Sequence, residues 1–308
     1  MDLRKFVTPQ ALLWALVGVL IAVLLVSAST SAAAFSVFNP SWDGSSGVQS
    51  TATESGIETR VALSTEAYTD VSPTETTALI IGPDETYTAS ELTKIRQFIA
   101  AGGTLVVADD FGSGNQILTG IGVETRLNGH LLRDPQNNGP TTAMPTATIV
   151  SNASDFTSAE TVMLNYATVV TAENATILAR SSEFSYLDRN NNNEIDDNES
   201  IQSYPVVAQE EIGNGTVIIV SDGSLFINAM LERAENQAFT TDLVGDTELI
   251  LLDGTHTTAS DPPLQVALVT LRTHSWAQFT IMLLFGILGY FSPRLWRQSK
   301  TLLSQSGD

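Results

Sequence analysis

The fold of this chain is decided by residues 77–108, which read TALIIGPDETYTASELTKIRQFIAAGGTLVVA. The apolar runs 77–81 and 104–108 have the length and continuity of strands that are buried on both faces of a sheet. A cap at Thr88 or Ser90 opens a helix between them. Its apolar residues recur at helical spacing, namely Leu92, Ile95, Phe98 and Ile99. This strand, helix and strand predict a parallel sheet with crossover helices.

The sequence on either side of this unit extends the pattern and then departs from it. Apolar pieces predict further strands at 36–39, 58–63, 216–220 and 248–252, and helices at 225–232 and 237–244. After about residue 127 several short β-rich pieces follow instead, and Gly213-Asn-Gly215 is a strong hairpin turn. The predicted fold class is therefore α/β, with a doubly wound, mostly parallel sheet and a β-rich insertion.

Two long apolar runs enclose this region. The first begins ALLWALVGVLIAVLLV at Ala11, which is long enough to span a bilayer, and the second covers residues 273–293. Basic residues flank both runs on their outer sides, which places both termini in the cytoplasm. The predicted organisation is a cytoplasmic N-terminus (1–10), a transmembrane helix or uncleaved signal anchor (11–33), an extracytoplasmic α/β domain (34–272), a second transmembrane helix (273–293) and a cytoplasmic tail (294–308). A cleaved signal peptide remains the alternative for the first run, because small residues follow it.

Charge and cysteine content exclude several classes of function. The chain has 308 residues, 14 Lys plus Arg against 34 Asp plus Glu, a net charge of −20 and no cysteine. Nucleic acid is excluded as a partner because phosphate binding needs clustered basic residues. Disulfides and thiolate chemistry are excluded outright. The dispersed acids favour adaptation to high salt, and a cation-binding role is the alternative. Four Asn-x-Ser/Thr sequons begin at Asn152, Asn174, Asn198 and Asn214, and they fit an extracytoplasmic glycoprotein.

The loop from Asp188 to Glu199 matches the twelve-residue template of calcium loops. Calcium takes six to eight oxygen ligands, and alternating positions of a tight loop supply them. The predicted ligands are the side chains of positions one, three, five, nine and twelve and the carbonyl of position seven, namely Asp188, Asn190, Asn192, Asp196, Glu199 and Glu194. Asn193 stands where the template has glycine, and asparagine tolerates a positive φ better than most residues. We expect structural Ca²⁺; a solvated Asn/Asp-rich loop is the alternative.

A second group of candidates consists of acids that follow predicted strands, namely Asp84, Asp109, Asp110, Asp222 and Asp253. In open parallel sheets, ligands sit at the carboxyl ends of the strands. If these strands are neighbours, the carboxylates share one crevice, where they could bind a cation or act as general acid and base. The alternative is that they cap the helical segments that follow.

Three motifs together resemble a known family. They read SVFNPSWDG from Ser36, GGTLVVAD from Gly102, and GNGTVIIVSD from Gly213 leading to FIN at 226–228. The ectodomain resembles the membrane-anchored domain of unknown function 4350, common in halophilic archaea. The resemblance implies a class I glutamine amidotransferase-like (flavodoxin-like) fold and partners such as MoxR-type ATPases and von Willebrand-like membrane proteins. It does not imply amidotransferase activity, because that nucleophile is a cysteine and this chain has none. Relatives often carry Asp-Glu before a histidine near the last strand, whereas this chain reads Asp253-Gly-Thr-His256.

These observations predict a membrane-anchored, extracytoplasmic binding or scaffold protein with a calcium-stabilised loop, a subunit of a membrane complex. No catalytic residue is assigned, since the chain has no cysteine nucleophile, no Gly-x-Ser-x-Gly elbow and no P-loop. Two alternatives remain open. One is a membrane-anchored hydrolase that uses the strand-end carboxylates, and the other is an accessory subunit of a transporter or MoxR-type ATPase system.

Overall fold

The computed structural model describes residues 9–150, 157–172, 174–245, 247–256, 262–273, 278–280 and 282–283. The chain divides into two compact units, Thr30–Ser260 and a pairing of the two chain ends, Met1–Ser29 with Asp261–Asp308. Residues 1–8 and 284–308 lie outside the described residues. They contain most of the predicted cytoplasmic N-terminus, the end of the predicted second span and the predicted cytoplasmic tail. The sequon at Asn152 also lies outside the described residues. So does most of the predicted second span at 273–293.

The α-helices are α1 (Pro9–Ser29), α2 (Ser46–Glu54), α3 (Ala89–Ala100), α4 (Gly114–Ile121), α5 (Asn228–Leu231), α6 (Asn236–Val244) and α7 (Pro263–Thr273). The strands are β1 (Glu58–Ala62), β2 (Thr76–Ile81), β3 (Thr104–Ala108), β4 (Arg126–Leu127), β5 (Leu131–Arg133), β6 (Thr146–Ile149), β7 (Thr161–Met163), β8 (Val170–Thr171), β9 (Thr176–Ser181), β10 (Tyr186–Asp188), β11 (Pro205–Ile212), β12 (Gly215–Val220) and β13 (Leu249–Asp253). Short 3₁₀ turns connect several of them, including Gly223–Phe226.

The fold is mixed α/β around one large sheet of order β1-β13-β2-β3-β12-β11-β9-β6-β7. The first five strands in this order are parallel to one another. The remaining four join by antiparallel pairing, and three of them, β6, β7 and β9, belong to the β-rich insertion. Small two-stranded sheets pair β10 with β5 and β4 with β8. The insertion therefore extends the parallel sheet on one side.

Helices cover both faces of the parallel strands. Because side chains alternate along a strand, β2 sends Leu79 to one core and Ile80 to the other. The first core includes α2 and α6, and the second includes α3 and α4. This two-sided burial explains why the strands that decide the fold are apolar throughout.

The helix predicted between β2 and β3 begins with a capping box. Thr88 Oγ1 accepts a hydrogen bond from Glu91 N at 3.4 Å, and Glu91 Oε2 accepts one from Thr88 N at 2.7 Å. These two bonds satisfy backbone donors that the first helical turn leaves without partners. The helix ends at Ala100, and Gly102 follows with a φ of +108°, which suits a residue without a side chain. Both helix ends thus follow from local sequence.

The strand predicted at 36–39 is wrong, because this segment forms turns. Ser36 O accepts hydrogen bonds from Asn39 N at 3.0 Å and from Ser45 N at 3.1 Å, which bends the chain back on itself. The Asn39 side chain adds a bond to Ser41 N at 2.8 Å. Serine and asparagine side chains form such local bonds readily, so they outweigh the strand propensity of Val37 and Phe38.

Helix α1 contains the one segment of the described residues, Leu12–Ser29, that is long and apolar enough to cross a membrane. Its side chains are largely exposed, including Trp14 and Leu24. In the same unit, Gln265 Nε2 of α7 donates to Ser29 O at 3.0 Å.

Candidate functional site

The loop at 188–199 begins where β10 ends. Antiparallel pairing of β10 with β5 sets Asp188 opposite Leu131 and buries its side chain. Asp188 Oδ1 accepts a hydrogen bond from Asn192 N at 3.1 Å, and its Oδ2 accepts one from Asn193 N at 3.0 Å. The first residue of the loop therefore holds the backbone of positions five and six.

Asn193 has the backbone conformation that the calcium template requires of its glycine. Its φ is +62°, and Asn191 is also left-handed at +59°. Asparagine adopts this region more readily than other residues with a side chain. The substitution of asparagine for glycine therefore leaves the tight turn intact.

The other predicted ligands are linked to one another. Asp196 Oδ2 accepts hydrogen bonds from Asn190 Nδ2 at 2.7 Å and Asn192 Nδ2 at 3.1 Å. Glu199 Oε1 and Oε2 accept from Arg189 N at 2.7 Å and Asp196 N at 3.3 Å. Glu194 joins through its N–H, which donates to Asn192 Oδ1 at 2.8 Å. The loop therefore closes on itself, as a template with a terminal glutamate would require.

The carboxylates of this loop are bonded to protein donors. Among the described residues, no group of three or more His, Cys, Asp or Glu side chains converges as metal ligands. Asp188 Oδ2 instead accepts from Arg133 Nε at 2.6 Å. Burial alone would raise the pKa of Asp188, but bonds from Arg133 and Asn193 N outweigh it and lower that pKa. The loop supplies calcium's oxygen types, and binding would require these side chains to turn from their present partners.

The strand-end acids lie at one edge of the sheet. Asp253 ends β13 and pairs with Ile80 of β2, Asp109 and Asp110 follow β3, and Asp222 follows the adjacent β12. Asp84 follows β2 at the same edge. This edge carries the carboxyl ends of the parallel strands, where α/β proteins bind ligands.

Most of these carboxylates hold the local backbone. Asp109 accepts from Gly114 N at 2.7 Å and Gly112 N at 3.2 Å. Asp222 accepts from Ser224 N at 2.8 Å and Asn165 N at 2.7 Å, and Asp253 accepts from Tyr68 Oη at 2.7 Å. Of these bonds, the one from Ser224 N to Asp222 caps the helical turn that follows, as the capping alternative predicts. Carboxylate oxygens that accept these hydrogen bonds are less available for acid-base chemistry.

Asp110 is a half-buried strand-end acid with like charges nearby. Burial, with repulsion from Asp109 and Asp84, raises its pKa from 3.8 to about 6, against a bond from Phe111 N. The folded state therefore binds more protons than the unfolded state between these values, and stability falls as pH rises through that window.

We expect Asp110→Asn to raise the thermal unfolding temperature at pH 7.5. One pKa unit corresponds to about 1.4 kcal/mol, and partial exposure reduces the effect to roughly 1–2 kcal/mol. At pH 4.5 the gain should largely disappear, because Asp110 is then mostly protonated in the folded protein. Asp70→Asn, at an exposed turn, is the control. Equal gains at both pH values would show that charge is not the cause.

A cleft adjoins the loop and the sheet edge, and sequence reasoning missed it. Its volume is about 370 Å³, and its lining includes Phe111, His130, Arg133, Tyr166, Asp188 and Arg189. These residues come from separated segments that only the fold brings together. The one indication of this cleft in the sequence is that Phe111 directly follows Asp110, a predicted crevice residue.

The motifs that carry the family resemblance also meet in the structure. Asn228 Oδ1 accepts from Gly47 N at 2.7 Å, and Asn228 Nδ2 donates to Ser41 O at 2.6 Å and Asn39 O at 3.1 Å. The turn-rich segment after α1 is thereby fastened to the start of α5. These motif residues have a structural role.

A family model described as "Domain of unknown function (DUF4350)" matches residues 37–244. The chain belongs to the DUF4350 family. The match covers all strands from β1 to β12, the loop at 188–199 and Asp84, Asp109, Asp110 and Asp222. Asp253 lies beyond it. No curated protein matches this DUF4350 chain significantly.

Several solved structures are similar to part of this chain. The mmIFT52 N-terminal domain is 14% identical, with coverage of 58% of this chain and 77% of that one and a TM-score of 0.44. A cytoplasmic protein from Salmonella typhimurium is 12% identical, with 66% and 85% covered and a TM-score of 0.42. A β-galactosidase from Bacillus circulans sp. alkalophilus is 14% identical, with 56% and 23% covered and a TM-score of 0.31. These likenesses do not extend to activity or partners.

Proposed function

We propose that this DUF4350 protein is a membrane-anchored, extracytoplasmic binding protein without catalytic activity, whose loop at 188–199 binds Ca²⁺ as a structural ion. The observation that carries the calcium part is the loop backbone. Asn193 is left-handed at position six and donates to the residue at position one, as the tight calcium loop needs. The ligands would be Asp188, Asn190, Asn192, Asp196 and Glu199, with the carbonyl of Glu194.

The membrane part of the proposal rests on α1 and on charge. Leu12–Ser29 is apolar and exposed, and Arg4 and Lys5 precede it in the sequence. A second span at 273–293 would return the chain to the cytoplasm. The acidic composition supports a haloarchaeal, extracytoplasmic setting, where the remaining sequons could carry glycans.

The strand-end carboxylates support the proposal that the protein has no catalytic activity. Asp109, Asp222 and Asp253 are buried and accept bonds from nearby backbone or side-chain donors.

We also propose the class I glutamine amidotransferase-like fold that the resemblance implies. Helices on both faces of the five parallel strands support this fold. The strand order differs from the flavodoxin-like order, because β13 stands between β1 and β2. Partnership in a membrane complex with a MoxR-type ATPase system is proposed on the resemblance alone.

Calorimetric titration of the full chain in mild detergent and high salt tests the calcium part. We expect one calcium ion per chain, with a dissociation constant of about 0.1–1 mM, as is typical of extracellular modules. The double variant Asp188→Ala, Glu199→Ala should show no binding heat. Asp197→Asn changes an exposed acid of the same loop that is outside the ligand set, and it should bind normally. Equal heats from all three proteins would refute the loop as the site.

A further inference from the structure

The cleft beside the loop has the size of a small-molecule site. Its volume of about 370 Å³ lies in the range of ligand pockets, at the end that suits a single ring. Phe111 and Tyr166, on two separate segments, form part of its lining. Phe111 follows β3 and so places the cleft beside the carboxyl edge of the parallel strands, where ligands of α/β proteins bind.

Two exposed aromatic side chains line the cleft. Phe111 is 52% exposed and Tyr166 is 55% exposed, although large aromatic residues gain most from burial. Tyr166 also has a φ of +59°, a conformation that costs free energy for a bulky residue. Its N–H donates to Ala143 O at 2.8 Å, and the preceding Asn165 N donates to the buried Asp222 at 2.7 Å. The fold therefore holds Tyr166 outward at a cost.

Cationic side chains line the same cleft in a strongly acidic protein. Arg133 and Arg189 are two of 14 basic residues in a chain of net charge −20, and His130 lies with them. Arg133 is held by Asp188 at 2.6 Å and by Thr142 Oγ1 at 3.2 Å. The exposed side chain of Arg189 forms no hydrogen bond or ion pair with any residue that the structure describes. A guanidinium with this freedom can pair with a carboxylate in two parallel bonds.

We propose that this cleft binds a small carboxylate that carries a ring, of the acidic monosaccharide class. The ring stacks on Tyr166 and Phe111, and the carboxylate pairs with Arg189. Neutral rings of the same size lack the second interaction and bind more weakly. The proposal rests on the proposed binding function and names the ligand class of the binding domain. Asp188 lines the cleft and is also a predicted calcium ligand, so the test is made without calcium.

Saturation-transfer NMR with the full chain in detergent tests this, using glucuronate and glucose as probes. The protein is first passed over a chelating resin, so that the result is independent of calcium binding. We expect clear transfer to glucuronate and much weaker transfer to glucose. Arg189→Gln should weaken glucuronate binding about tenfold, the loss that corresponds to one charged hydrogen bond. Tyr166→Ala should weaken both probes.

Two matched variants keep the test specific. Arg96→Gln removes an exposed arginine on α3, and Phe184→Ala removes a 45% exposed aromatic residue, both outside the cleft lining. Both should bind glucuronate as the parent does. The proposal is overturned by no transfer to glucuronate, by equal transfer to glucose, or by an Arg189→Gln variant that folds and binds unchanged. Thermal unfolding of each variant establishes that it is folded.

Discussion

Calcium at about 100 times its dissociation constant is expected to raise the free energy of unfolding by roughly 2.7 kcal/mol, because it binds the folded loop and not the unfolded chain. For a domain of this size each kcal/mol raises the unfolding temperature by about 2–4 °C, so the rise should be about 5–10 °C. Thermal unfolding of the full chain in high salt, with calcium and then with excess chelator, measures it.

Variants of the loop decide whether the rise comes from this site. In Asp188→Ala, Glu199→Ala the calcium response should vanish. Asp197→Asn lowers the charge of the same loop without touching a predicted ligand, so its response should match the parent protein. If the double variant still responds, calcium acts elsewhere on the acidic surface. If the parent shows no rise at about 100 times the expected dissociation constant, the loop is a solvated surface turn.

The second large effect is expected from Asp222→Ala. Asp222 is fully buried, and its carboxylate accepts from Ser224 N at 2.8 Å and from Asn165 N at 2.7 Å. Alanine would leave both donors without their acceptor, at a cost of about 1–3 kcal/mol each. We expect a total loss of roughly 2–4 kcal/mol, measured by denaturant unfolding of the full chain.

Part of the stability lost in Asp222→Ala is offset at neutral pH, because the variant no longer has to bury a charge. Burial raises the pKa of Asp222 well above its ordinary range. The loss of stability caused by Asp222→Ala should therefore be somewhat larger at pH 5 than at pH 8. At pH 5 the protonated Asp222 carboxyl stabilises the folded parent protein. Asp84→Ala, an exposed acid at the same sheet edge, is the control and should stay within about 0.5 kcal/mol. An Asp222→Ala variant as stable as the parent would refute the anchoring role.

The parts of the fold that depend on local sequence could be predicted. The helix after Thr88 was predicted because its cap, apolar spacing and terminal glycines are all local. The hairpin of β11 and β12 was predicted for the same reason, and Gly213 has the positive φ its turn requires. The predicted calcium ligands also lie within twelve consecutive residues, and their binding of calcium stays a prediction.

One prediction failed for a local reason, and the features that were missed depend on distant partners. The segment at 36–39 was predicted as a strand, because its apolar pair gave no sign of the turn that Ser36 and Asn39 form. The Arg133–Asp188 ion pair follows from the register of β5 and β10, which no local pattern encodes. The exposed Tyr166 follows Asn165, whose N–H is bonded to Asp222 far along the chain.

The position of β13 has a consequence for the order of synthesis. β13 is the last strand of the described residues, yet it lies between β1 and β2, and β1 pairs with no other described strand. During biosynthesis β1 therefore stays unpaired until the chain has been made through Asp253, because its hydrogen-bonding neighbour is β13. Such pairings between distant segments form slowly, and an unpaired apolar edge is prone to aggregate meanwhile. A nascent chain truncated before Leu249 should therefore need chaperone protection that the complete domain does not.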